Sequence, residues 1–164
     1  MTGTNETQIT KHPDGNKLTV TRQFNAPLNK VWRAWTESEI LDNWWAPKPW
    51  KAVTSKLDFK AGGQWLYAMT GPQGEKHLSR VDFHTIDPQK SFTATSFFCD
   101  EQGQAIDGAP IMHWKNEFED AGAVTHLAVE ITLDSAANLE QIIQMGFKGG
   151  FTMALGNLDE ILAQ

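Results

Sequence analysis

Val124-Thr125-His126-Leu127-Ala128-Val129-Glu130-Ile131-Thr132-Leu133, then Asp134-Ser135, then a stripe of Leu139, Ile142, Ile143 and Phe147 joins two different apolar periods in one passage. Leu127, Val129, Ile131 and Leu133 alternate with His126, Ala128, Glu130 and Thr132. A period of two predicts a strand with one face in a core. Past Ser135 the apolar spacing changes to three and four and continues through Phe151, Leu155, Leu158, Ile161 and Leu162. That pattern predicts one helix from about residue 138 to 163. At about 1.5 Å per residue it spans roughly 35–40 Å, enough to lie across a whole sheet.

Working backward, Met112 to Glu119 predicts the other arm of a hairpin, closed by Asp120-Ala121-Gly122. Asp100 to Pro110 is a polar loop containing glycine. Ser91 to Cys99 predicts a strand whose weak alternation assigns neither face, and Lys76 to Ile86 predicts another that stops at Asp87-Pro88. Gly71-Pro72-Gln73-Gly74 is a turn between that strand and the run holding Trp65, Tyr67 and Met69 on one face. Gly62-Gly63 separates this run from Val53 to Phe59. Near the start, Leu18 to Phe24 alternates until Ala26-Pro27 stops it. Two short helices follow, Leu28 to Trp35 and a second through Ile40, Leu41 and Trp44, ending at Pro47 and Pro49. Residues 1–16 are polar and end in Pro13-Asp14-Gly15-Asn16, which predicts a flexible tail ahead of a single domain over 17–164.

Composition narrows the function. The 164 residues suit one α+β unit with a full core. A net charge of −6, with no basic cluster interleaved with aromatics, argues against nucleic acid as a partner. Cys99 is the single cysteine, which excludes an internal disulfide and any thiolate-based metal site. No apolar run reaches the roughly 20 residues that cross a bilayer, and the polar start lacks a signal-peptide core. The expectation is a cytoplasmic protein with no membrane span. Histidine spacing gives no metal pair, and no phosphate loop, dinucleotide fingerprint or nucleophile elbow is present, so no cofactor or metal is expected.

Particular phrases carry a resemblance. Leu18-Thr19-Val20-Thr21-Arg22-Gln23-Phe24-Asn25-Ala26-Pro27, Val31-Trp32-Arg33-Ala34-Trp35-Thr36 and Leu41-Asp42-Asn43-Trp44-Trp45-Ala46-Pro47 resemble the opening of the START-like (SRPBCC) superfamily. Leu57-Asp58-Phe59-Lys60-Ala61-Gly62-Gly63-Gln64-Trp65, Ile86-Asp87-Pro88 and Met145-Gly146-Phe147-Lys148-Gly149-Gly150-Phe151 are similar to phrases of its branch named after the activator of the heat-shock-protein-ninety ATPase. The resemblance covers residues 18–163. It implies a helix-grip fold, a curved antiparallel sheet of six to seven strands over a long C-terminal helix, with a hydrophobic cavity between them. The activator carries a further N-terminal domain that grips the chaperone, and residues 18–163 resemble none of it.

Candidate ligand-binding residues follow. Gly146 and Gly150 share a helix face, and each glycine costs about 1 kcal/mol against alanine inside a helix. Either the missing side chains leave volume for a ligand, or the helix packs closely or breaks there. Phe147 and Phe151 flank them. Trp65, Tyr67 and Met69 line a cavity if they face the helix, with the tyrosine hydroxyl as an orienting group, and are plain core otherwise. Trp32 and Trp35 lie in the short helices, where Trp44 and Trp45 form a corner beside proline or gate a mouth. His113, next to Trp114, is the histidine of first interest. Glu130 is out of phase with the core and expected in solvent. No residue is assigned a catalytic role.

Three functions remain: a binder of a small hydrophobic molecule (lipid-like, aromatic or polyketide-like), a cyclase- or hydrolase-like enzyme, or a stress- or chaperone-related regulator with a protein partner. A roomy apolar cavity favours the first, convergent His, Glu or Asp the second, and a filled interior the third.

Overall fold

The computed structural model describes residues 5–163. The chain runs β1 (Gln8–Lys11), β2 (Lys17–Phe24), α1 (Leu28–Thr36), α2 (Ser38–Leu41), β3 (Lys51–Leu57), β4 (Gln64–Thr70), β5 (Lys76–Asp87), β6 (Ser91–Phe98), β7 (Met112–Ala121), β8 (Val124–Leu133), α3 (Ala136–Gln144) and α4 (Phe147–Leu162). One antiparallel sheet holds every strand in the order β1-β2-β8-β7-β6-β5-β4-β3. Six strands form a meander from β3 to β8, and β2 returns to pair with β8. The α1–α2 segment is the connection that carries the chain from β2 to the far edge at β3. Register shifts at Thr54/Lys56 and Phe83/Thr85 mark irregularities of the kind that bend strands and increase twist. The result is an α+β fold with a large curved sheet over C-terminal helices, consistent with helix-grip architecture.

Eight strands replace the six to seven expected. The additional one lies in the segment read as a flexible tail: Gln8–Lys11 pairs with Lys17 to Phe24 over four residues, from Gln8↔Thr21 to Lys11↔Leu18. Lys11 also reaches Glu140 of α3 at 2.5 Å. Residues 1–4 of that expected tail lie outside the described residues. The face assignment missing for β6 is now plain. Phe92 and Ala94 point into the core, while Phe97 and Phe98 are adjacent and both half-buried, which is why alternation failed there.

The single terminal helix is in fact two. α3 ends at Gln144, and Gly146 takes φ +92°, a left-handed conformation that favours glycine, before α4 begins. Its amide donates to the Ile143 carbonyl at 3.0 Å and its carbonyl accepts from Gly150 at 2.9 Å, so one residue closes one helix and opens the next. The second short helix is likewise only one turn, Ser38–Leu41.

Alternation on β2 and β8 supplies much of the core. Leu18, Val20, Leu127, Val129, Ile131 and Leu133 are all buried, each contributing about 1.5–3 kcal/mol by leaving water. Arg22 sits in the same inward phase. Its guanidinium donates to the Leu155 carbonyl at 2.9 Å and to the Asp159 carboxylate, tying α4 to the sheet. Asn157 completes the attachment through Nδ2, which donates to the Ala46 carbonyl at 3.2 Å.

Candidate functional site

Aromatic side chains from three elements and a corner meet without filling the space between them. β4 contributes Trp65 and Tyr67, whose rings stack at 4.2 Å because residues two apart on a strand share a face. β7 contributes Trp114, α4 contributes Phe151, and the turn after α2 contributes Trp45. Trp45 lies 5.4 Å from Trp65, 5.9 Å from Trp114 and 6.1 Å from Phe151, centroid to centroid. These rings surround a cavity of about 270 Å³. Met145, 57% exposed, also lines it, so the α3–α4 break forms its mouth.

The polar groups on the wall are few. Tyr67 hydroxyl accepts the Trp45 indole N–H at 2.9 Å, with the buried Ser79 hydroxyl as a second hydrogen-bond neighbour. Burial raises the phenol above its usual value of 10.0, partly opposed by those two hydrogen bonds. Ser96 hydroxyl accepts the Trp114 indole N–H at 2.8 Å. Asn116 and Trp35 also line the cavity, and neither Asn116 Oδ1 nor Trp35 Nε1 has a hydrogen-bond partner among the described residues. No His, Asp, Glu, Lys, Arg or Cys is among the described lining residues, leaving Tyr67 as the titratable group on the wall.

Of the residues singled out from the sequence, Trp35, Trp65, Tyr67, Met69, Gly146, Phe147, Gly150 and Phe151 come together around this space. Trp32 is not among the lining residues: it packs edge-on against Phe59, Phe92 and Phe118. Nor is His113. It follows Met112 and precedes inward-pointing Trp114, so the strand period turns it to the outer face. There its Nε2 lies 3.0 Å from Asp134 Oδ1 and its Nδ1 3.4 Å from Thr95 Oγ1, which in turn meets His84 Nε2 at 2.6 Å. Glu130 is half-buried on that outer face, 3.6 Å from Lys17. No cluster of three or more His, Cys, Asp or Glu side chains suited to a metal occurs among the described residues.

The tryptophan pair beside proline divides its work. Trp44 is fully buried and donates to the Ala34 carbonyl at 2.9 Å, which makes it the structural corner, while Trp45 walls the cavity. Asn116 was missed by reading the sequence, yet a signal existed: it shares the inward phase of Trp114 and Phe118.

Comparisons with known proteins agree with this architecture. The family model described as "Activator of Hsp90 ATPase homolog 1-like protein" matches residues 25–163. A solution structure of a protein from Arthrobacter aurescens superposes with a TM-score of 0.89 at 26% identity, covering 95% of this chain and 91% of that one. A crystal structure of a protein from Mycobacterium smegmatis gives 0.86 at 28% identity, covering 94% and 95%. The AHSA1 protein from Silicibacter pomeroyi, 19% identical over 90% of this chain and 97% of its own, shares the fold with a TM-score of 0.72. No curated protein matches the chain.

Proposed function

Since the chain belongs to the family of Activator of Hsp90 ATPase homolog 1-like proteins, we propose that it binds a small hydrophobic molecule between its curved sheet and its terminal helices. The observation that carries this reading is the cavity itself, about 270 Å³ and walled by aromatic rings, with no charged side chain among the described lining residues. An apolar cavity of about 150 Å³ already admits benzene. Binding draws on removal of the guest's apolar surface from water, at about 25 cal/mol per Å². Trp35, Trp65, Tyr67, Met69, Phe147, Phe151 and the two glycines Gly146 and Gly150 make the contacts.

The same lining weighs against acid–base catalysis, which needs a group whose pKa lies near the working pH. Tyr67 moves away from that range. A purely regulatory role calls for a filled interior, and the space is there.

The test is quenching of tryptophan fluorescence by naphthalene, since Trp45, Trp65 and Trp114 all face the guest. Wild-type protein should show saturable quenching. In Gly150→Leu the new side chain enters the cavity from α4, where the first neighbour of an added Cβ is Pro47 Cγ at 3.7 Å, so the Cβ itself meets no clash, and circular dichroism checks that the variant is folded. That variant should lose the quenching. Absence of saturable quenching in the wild-type protein would sink the reading.

A further inference from the structure

Given the cavity reading above, on which this step rests, we infer that the natural guest is an uncharged, flat molecule of about two fused rings bearing a hydroxyl-type group, and that Asn116 is its anchor. Size comes first. If about 150 Å³ holds one benzene ring, then 270 Å³ holds about two.

Charge comes next. An ion moved into this wall would find no opposite charge among the described lining residues, and an unpaired buried charge is strongly disfavoured. Flatness follows from the walls, because Trp45, Trp65, Trp114 and Phe151 offer ring faces and edges that suit another aromatic system.

The polar anchor is found by elimination among the wall's own groups. Tyr67 is the obvious candidate, yet its oxygen already accepts from Trp45 and neighbours Ser79. Ser96 is engaged by Trp114. Asn116 is different. It is only 2% exposed, and its Oδ1 is without a partner among the described residues. A buried carboxamide oxygen left unpaired costs free energy that a ligand donor recovers on binding. The second unpartnered atom on the wall is the Trp35 indole nitrogen, a donor only. A hydroxyl on the guest supplies the donor that Asn116 Oδ1 lacks.

Four bicyclic probes test this by quenching: naphthalene, 2-naphthol, 2-methoxynaphthalene and 2-naphthoate. Wild-type protein should bind 2-naphthol about tenfold more tightly than naphthalene, the yield of one well-made hydrogen bond. The methyl ether, which has lost the donor, should fall back toward naphthalene, and the naphthoate anion should bind most weakly. In Asn116→Leu, whatever the absolute affinity for naphthalene becomes, the ratio of 2-naphthol to naphthalene affinity should drop below about threefold. Equal wild-type affinity for naphthol and its methyl ether, or an advantage that survives in Asn116→Leu, overturns the anchor and leaves the cavity reading intact. The ether comparison needs no variant, so it decides even if Asn116→Leu fails to fold. Failure of all four probes to bind removes the cavity reading and the anchor together.

Discussion

Trp45 donates its indole N–H to the hydroxyl of Tyr67 at 2.9 Å, so the corner after α2 and the middle of β4 are joined across the wall of the cavity. Both partners are large rings, and Tyr67 is buried. Tyr67→Phe keeps the stacking on Trp65 and removes only the acceptor. The variant should be about 1–2 kcal/mol less stable, because the Trp45 donor is then left unsatisfied. Urea unfolding followed by circular dichroism measures this directly. A Tyr67→Phe protein as stable as the wild type would mean that the bond contributes nothing.

Arg22 holds α4 to β2 from inside the sheet, through the Leu155 carbonyl and Asp159. Arg22→Met should retain the aliphatic stem yet cost about 2–3 kcal/mol, a figure reduced because the Asp159 side chain is 37% exposed and can hydrate. The loss should appear as a lower urea midpoint. An unchanged midpoint would show that α4 is held by its apolar face alone.

Gly146, Gly149 and Gly150, at the junction of the two helices, should separate by backbone rather than by space. None of them has a heavy atom within 3.4 Å of an added Cβ. Gly146→Ala must nevertheless place an L side chain at φ +92°, so a loss of about 1–2 kcal/mol is expected. Gly149→Ala lies on the exposed side of α4 and should gain up to about 1 kcal/mol from helix propensity. Thermal melts of the two variants should shift in opposite directions.

Alkaline pH should weaken the fold. Burial raises the Tyr67 phenol above 10.0, and burial with the nearby Asp100 carboxylate raises the Cys99 thiol above 9.0, against a smaller opposing pull from Arg80. In both cases the folded chain holds its proton more tightly than the unfolded chain does. The contribution is therefore fully present below about pH 9 and disappears as pH climbs past the ordinary thiol and phenol values. Urea midpoints measured between pH 7 and 11 should be flat at first and then fall. Iodoacetamide should label Cys99 slowly at pH 8 in the folded protein and quickly in urea.

How far the residues disclosed all this depended on pattern strength. β2 and β8 were legible because strict alternation leaves one choice of face. β1 was not, since Ile9 is its single apolar residue and its pairing arises from contact with β2 rather than from its own sequence. The helix break at Gly146 is a dihedral angle, and the apolar stripe runs across it without interruption. His113 was drawn toward the cavity by its neighbour Trp114, although adjacency on a strand places two side chains on opposite faces. Asn116 carried the opposite lesson: a polar residue in core phase between Trp114 and Phe118 announces either a buried bond or a vacancy for one.

A cavity whose mouth is a joint between two helices can admit a guest by bending at one glycine, with every ladder of the sheet left intact. Loading and release should therefore run far faster than global unfolding. In hydrogen exchange, amides of α4 nearest Gly146 should open long before those of Val129 or Ile131.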